Sequence, residues 1–452
     1  MTARSDSIAP RPTRVLELAL PIIISNLSIP LMGAVDTAVM GHLPDPAYLG
    51  GVALGALVFS YVYWGFGFLR MATTGFVAQA KGAGDHQELR HVALRGALLA
   101  FGLGALIVAL QLPLTALALA VFEGSARVKG LAGDYVLVRI WGAPATLFVY
   151  VALGWLIGMQ RMRTVLALTV LQNALNAALA LLFVVEFGWG IKGVAGATLI
   201  AEYAGALIGG IALWRAHRPL AGRWGGAGLF DRAKLVAAFR VNGDIFLRTL
   251  FLVSGFAWFT SQGAGQGDVV LAANAVLMTF VTLASYGLDG FAHAVETLAG
   301  GAIGARDRAA FRAAVRATTQ WAAGVAVGCT AALAIAGPGL IDLMTSIEPV
   351  QAAARTYMLW AAAYPLVAVW CFQLDGIYIG ATRTAEMRNG AAIALAALLG
   401  LGYALMPAFG NHGLWAALWG FALVRALTLA LWYPRLSRSV GPAGGGEPPK
   451  TL

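Results

Sequence analysis

Gln79-Ala-Lys-Gly-Ala-Gly-Asp-His-Gln-Glu-Leu-Arg90 and Gly301-Ala-Ile-Gly-Ala-Arg-Asp-Arg-Ala-Ala-Phe-Arg312 lie 222 residues apart and match at five of their twelve positions. The identities are Ala80/Ala302, Gly82/Gly304, Ala83/Ala305, Asp85/Asp307 and Arg90/Arg312. Charged residues make up only 12% of this chain, so the pairing of an Asp and an Arg at one offset argues for an internal duplication rather than for shared composition. The same shift lays Gly154-Trp-Leu-Ile-Gly-Met-Gln-Arg161 on Gly376-Ile-Tyr-Ile-Gly-Ala-Thr-Arg383 and pairs both glycines, an Ile and the Arg. It also pairs Gly41 with Gly263 and Leu49 with Leu271, and a shift of 220 pairs Gly190, Gly193 and Ala197 with Gly410, Gly413 and Ala417. The chain reads as two copies of one unit.

Each copy reads as membrane-embedded. Hydrophobic residues make up 59% of the 452 and charged residues 12%, about half the charged share of a soluble domain. Apolar spans are predicted near 15–41, 48–80, 91–121, 131–159, 164–186 and 190–214 in the first copy. The second copy gives spans near 243–266, 271–302, 313–337, 351–380, 387–408 and 411–434. With the N-terminus in the cytoplasm, cytoplasmic segments hold 23 of the 31 Lys and Arg, while the opposite side holds Arg127, Lys129, Lys192 and Arg355. That asymmetry is the positive-inside rule, with both termini cytoplasmic. The net charge of +10 therefore sets topology beside anionic lipid and is no nucleic-acid footprint. The apolar stretch after Arg4, Arg11 and Arg14 outruns a leader's hydrophobic region, so the first span is expected to remain as a helix. Cys329 and Cys371 stand in apolar runs and imply neither a disulfide framework nor a metal site.

Six spans return the chain to the same side, so the copies are parallel repeats, the arrangement in which substrate sites lie between or within lobes. The expected fold class is an all-α membrane protein of twelve helices in two six-helix repeats. An N-lobe is expected over 1–214, a basic cytoplasmic linker over 215–242, and a C-lobe over 243–440. Gly222, Gly225, Gly226 and Gly228 mark the linker as a loop, and the Gly/Pro-rich tail over 441–452 is expected to be disordered.

A charge inside hydrocarbon costs roughly 3 kcal/mol or more and marks function by default. Asp36 is the strongest candidate, in mid-span with no basic residue in its own helix and with Trp258 as its repeat counterpart. A carboxyl held there is suited to taking up and releasing a proton; the alternative is a carboxylate satisfied by a helix end or by Ser and Asn. Pro21 and Pro30 lie on the same helix and would let it bend, although Pro is also ordinary in membrane helices. Glu202 could relay protons or hold a structural hydrogen bond. Asn173 and Asn176, three apart, could coordinate a cation or join helices.

In the second copy Asp289, His293 and Glu296 follow an i, i+4, i+7 spacing and share one helical stripe. The stripe suits a proton path or a cation-binding wall, and equally an intrahelical network. Asp375 stands alone in its span and reads the same way, while Asp244 and Arg248 are expected to form a structural ion pair. Tyr61, Tyr63, Trp64, Phe66 and Phe68 crowd one span; lipid-facing packing accounts for most, and a few could stack on flat hydrophobic cations. Gly-x-Ser-x-Gly, a P-loop, a zinc-binding His pair and a nucleotide-binding fingerprint are all absent from the sequence. An enzyme or an ATP-driven pump is therefore not expected, and an ion gradient is favoured as the energy source with no cofactor.

Leu18-Ala-Leu-Pro-Ile22, Val35-Asp-Thr-Ala-Val-Met-Gly41 and Gly193-Val-Ala-Gly-Ala197 resemble the multidrug and toxic compound extrusion (MATE) transporters. Phe68-Leu-Arg-Met-Ala-Thr-Thr-Gly75, Leu288-Asp-Gly-Phe-Ala-His-Ala-Val-Glu296 and Leu374-Asp-Gly-Ile-Tyr-Ile-Gly-Ala-Thr-Arg383 resemble the DinF-like branch closely. Ala273-Asn-Ala-Val-Leu-Met278 and Glu386-Met-Arg-Asn389 extend the likeness across nearly the whole chain. The resemblance implies two six-helix lobes forming a V, and export of amphipathic, often cationic, compounds by antiport against protons or sodium. It also implies a bacterial inner-membrane protein acting as a monomer. It places Asp36 at the family's coupling acid and Pro21 at the bend proposed for the first helix, and maps the family's cation cluster onto Asn176 and Thr198. The family's second acid in that cluster falls on Ala180, which removes a charged oxygen ligand and favours protons over sodium, with Glu202 a candidate for the missing acid. The competing readings are a sodium-coupled exporter, a lipid or cell-wall-precursor flippase of the wider superfamily, and a membrane-embedded enzyme or sensor. A flippase is expected to line its cavity with Arg, and few span Arg residues are present.

Overall fold

A computed structural model describes residues 12–41, 45–121, 125–226 and 228–441. The side chain of Asp36 lies outside the described ones, as does the tail beyond Gly441. The first copy gives α1 (Pro12–Gly41), α2 (Pro46–Gly65), α3 (Phe68–Gly82), α4 (His86–Ala109) and α5 (Gln111–Val121). It continues with α6 (Ala126–Arg139), α7 (Ala143–Gly158), α8 (Met162–Leu181) and α9 (Gly190–His217). The second gives α10 (Arg232–Ala264), α11 (Asp268–Gly304), α12 (Arg308–Met344), α13 (Glu348–Gly380), α14 (Thr384–Phe409) and α15 (Asn411–Ser439). Among the described residues, ten helical segments are long and apolar enough to cross a bilayer. The first helix of each copy, α1 and α10, completes the expected twelve.

Three predicted spans of the first copy are broken helices. The span near 91–121 splits at Leu110. Pro113 accounts for the break: its ring collides with the carbonyl four residues back and it has no N–H to donate. Pro144 acts likewise where a short 3₁₀ turn, Ile140–Gly142, separates α6 from α7. The span near 48–80 breaks around Gly67, between α2 and α3. The corresponding α11, α12 and α13 run unbroken, even through Pro338 and Pro365. α10 begins at Arg232, inside the stretch expected to be linker loop. The remaining loop turns on Gly222, Gly225 and Gly226, all at positive φ. Arg90 fixes it by donating to the carbonyls of His217 and Leu220 at 3.0 and 2.7 Å.

Backbone detail repeats at the offsets read from the sequence. Gly84 and Arg306 both have positive φ, as do Gln160 and Thr382. Asp85 and Asp307 are N-caps of α4 and α12, accepting from Glu88 N and Ala310 N at 2.8 Å each. This gives the duplicated Asp its reason, since it satisfies an orphan amide at a helix start. Gly190 and Gly410 share a φ of 53° at the 220 offset.

The chain forms two compact units, the first comprising the described residues of Met1–Ile23, Ala78–Gly84 and Phe239–Leu452, the second Ile24–Val77 and Asp85–Ala238. In the second unit α2 packs on α6, α4 on α7, α7 on α9 and α8 on α9. In the first, α11 packs on α13, α12 on α13, α13 on α15 and α14 on α15, which are the same pairings in the other copy.

Glycine lets these helices touch backbone to backbone, as membrane helices do where no hydrophobic force drives them together. A Cβ on Gly154 or Gly158 would collide with the carbonyls of Arg70 and Thr74. One on Gly376 or Gly380 would collide with those of Ala292 and Glu296, the equivalents 222 residues on. Within the first unit the two opening motifs also cross each other. A Cβ on Gly82 would strike the carbonyl of Gly301, and one on Gly304 the carbonyl of Gln79. Gln79 Nε2 donates to Gly380 O at 2.9 Å and to Thr382 Oγ1 at 3.2 Å.

Candidate functional site

In the second unit, buried charge centres on Arg139 of α6 and Glu202 of α9. Arg139 Nε and Nη2 both lie 3.4 Å from Glu202 Oε1, and Nη1 donates to the Tyr135 hydroxyl at 3.0 Å. The guanidinium sits 4.6 Å above the Phe59 ring and 5.9 Å from that of Tyr63. Gly142 makes room for the carboxylate: a Cβ there would collide with Glu202 Oε2. Glu202 therefore carries its own counter-ion, a partner the sequence reading did not assign to it. Of the aromatic run, Tyr63 and Phe68 are buried, while Tyr61 and Trp64 are exposed.

Removing the cation would strand this carboxylate. Arg139→Leu is expected to destabilise the protein by about 3–5 kcal/mol, the usual result of breaking a buried pair from one side. Thermal melting in detergent checks this, with Arg139→Leu/Glu202→Gln expected to recover most of the loss. A double variant no more stable than the single one would show that the pair is not what holds this region.

The sequence-predicted cluster comes together in part. Asn176 and Thr198 are buried, with Thr198 Oγ1 3.5 Å from Asn176 Oδ1 and also donating to the Val194 carbonyl at 3.1 Å. Ala180, one turn after Asn176, is fully buried. Asn173 donates to Ser28 Oγ at 2.8 Å and so joins α8 to α1. Pro21 is half-buried and α1 passes through it without interruption. Asp36 lies on the same helix.

In the first unit, the predicted stripe on α11 forms as spaced. His293 Nδ1 lies 2.9 Å from Glu296 Oε2, and its Nε2 lies 3.5 Å from Asp289 Oδ2. His293 and Glu296 are buried. The imidazole thus stands between two carboxylates, an arrangement that can hold a proton and pass it between them.

One reading from the second copy is corrected, and another gains partners. Asp375, the lone charge of its span, accepts at Oδ2 from Arg248 of α10 and Arg425 of α15. Asp244 does not pair with Arg248. Its Oδ1 accepts from Arg388 at 2.6 Å and its Oδ2 from Thr384 at 3.1 Å. The i, i+4 spacing on α10 was available to both residues, but partners on α13, α14 and α15 offered shorter, desolvated contacts. The signal that points to the triad in the sequence is Arg425 itself, since a mid-span Arg requires a buried acid.

Comparison with known proteins follows the duplication. The MatE family profile matches residues 21–182 and again residues 245–409. DNA damage-inducible protein F of Escherichia coli (strain K12) is 43% identical over 424 residues, covering 92% of this chain and 90% of that one. Protein DETOXIFICATION 44, chloroplastic, of Arabidopsis thaliana is 28% identical over 447 residues, covering 95% of this chain and 82% of that one. A crystal structure of MATE in the bent conformation superposes with a TM-score of 0.87 at 20% identity, covering 97% of this chain and 99% of that one.

Proposed function

This chain belongs to the MatE family, and from that premise we propose that it couples export of amphipathic, often cationic, organic compounds to proton entry. It is a multi-pass membrane transporter of the multidrug-resistance type and not an enzyme. Protonation of Asp36 is the coupling step, Pro21 gives α1 its capacity to bend, and rocking of the N-lobe (1–214) against the C-lobe (243–440) alternates access. The transporter works as a monomer in the bacterial inner membrane with both termini in the cytoplasm.

The observation that carries protons over sodium is the Arg139–Glu202 pair. With Glu202 already neutralised and Ala180 buried beside Asn176, the Asn176–Thr198 pair supplies only uncharged oxygens. A hard cation prefers a site with carboxylate charge. Proteoliposomes loaded with a fluorescent lipophilic cation test this. An imposed proton gradient is expected to drive efflux, and a sodium gradient at matched pH to leave only the leak. Flux driven by sodium alone would overturn proton coupling. Silence under both gradients would bring a lipid flippase forward.

A further inference from the structure

Within the first unit, the buried cluster of Arg248, Arg425 and Asp375 carries more positive than negative charge. Arg248 and Arg425 converge on one oxygen of Asp375, and the three side chains are only 10%, 9% and 11% exposed. Cys371 and Tyr364 also lie beside Arg425, both uncharged at neutral pH by their ordinary chemistry. Asp244 is committed to Arg388 and Thr384. Two guanidinium groups thus share one carboxylate. Arg139 and Glu202 of the second unit, by contrast, match one to one.

A surplus cation held away from water is expensive unless an anion completes it. Each guanidinium has five N–H donors, and Arg248 Nε is buried without a hydrogen-bond partner. The surroundings are apolar and aromatic: Arg425 lies 5.7 Å from the Phe421 ring, which packs edge-on against Phe256. Such a site suits an anion with a hydrophobic body better than a small hydrated ion.

We propose that Arg248 and Arg425 form a head-group site for a monoanionic amphipath. Its carboxylate, sulfonate or phosphate shares the guanidinium pair with Asp375 or displaces it. Asp375 is then an internal competitor that occupies the arginines when no ligand is present. This adds an anionic substrate class to the cationic one, and it stands or falls independently of proton-driven cation export.

The test is binding of dansylaminoundecanoate to the full-length protein in phosphatidylcholine nanodiscs, read by fluorescence and compared with its uncharged methyl ester. The acid is expected to bind at least about tenfold more tightly than the ester. Arg425→Gln should weaken the acid by about tenfold and leave the ester unmoved, with Arg425→Lys retaining much of the affinity. Asp375→Asn should tighten the acid severalfold, a direction that a purely structural role does not produce. If Arg425→Gln fails to fold, the ester comparison and Asp375→Asn still decide. Competition by phosphatidylglycerol added to the disc would identify membrane lipid as the source of the anion, and its absence a free compound. Equal binding of acid and ester, or weakening by both Arg425→Gln and Asp375→Asn, would overturn the proposal. So would occupation by chloride with no Arg-dependent binding of the acid.

Discussion

With Asp36 replaced by asparagine, the reconstituted protein is expected to lose proton-driven efflux of a lipophilic cation by roughly a hundredfold, a change worth ~2.7 kcal/mol in the rate-limiting barrier. Asparagine keeps the size and hydrogen-bonding ends of the side chain but cannot exchange a proton, so what disappears is coupling rather than the helix. Asp36 lies in the last third of α1, and its repeat counterpart is Trp258. Nothing in the duplicated scaffold therefore calls for an acid at this position. Initial efflux rates at a fixed inside pH and several outside pH values give the measurement. Wild-type rates should rise with the gradient and those of the variant should stay flat. An Asp36→Asn variant that still follows the gradient would move coupling elsewhere, with the His293 stripe on α11 the next group to replace.

Gly380→Leu is expected to have the largest effect on folding. A Cβ at this position collides with the Glu296 carbonyl and meets Gly300 N at 3.0 Å. Backbone cannot rotate away as a side-chain tip can, so α11 and α13 must separate. Overpacking a tight core costs about 1–3 kcal/mol for a modest excess, and a branched side chain between two backbones exceeds that. Fluorescence-detected gel filtration should show aggregated or absent protein for Gly380→Leu, and a lowered melting temperature for Gly380→Ala. Gly400 and Gly324 have nothing within 4 Å of a built Cβ. Alanine at either is expected to be neutral or to stabilise by about 0.5–1 kcal/mol, as in an ordinary helix. If Gly380→Ala melts with those controls, the crossing is looser than described.

The duplication was readable because Gly, Asp and Arg stand out in an apolar background, and the structure gives each match a local task. Asp85 and Asp307 cap helices, and Gly154 and Gly376 admit a neighbouring carbonyl. Helix breaks at Leu110 and at Ile140–Gly142 were hidden inside long apolar runs, where hydropathy continues across a kink that only Pro113 and Pro144 betray. Among the charged groups, those on one helix were legible and those on several were not. Asp289, His293 and Glu296 could be placed together from spacing alone. Asp375, Arg248 and Arg425 come from three helices, and no spacing rule connects them. The same rule misled at Asp244 and Arg248, because local proximity on α10 lost to partners on other helices.

The crossing of the two opening motifs has the form of a surface meeting itself. Gly82 lies against Gly301 and Gly304 against Gln79, so position i touches j while the copy of i touches the copy of j. That is the isologous geometry by which two identical subunits associate about a two-fold axis. Here one chain supplies both sides of the contact, so a substitution at Gly82 or at Gly304 disturbs only one of its two arms.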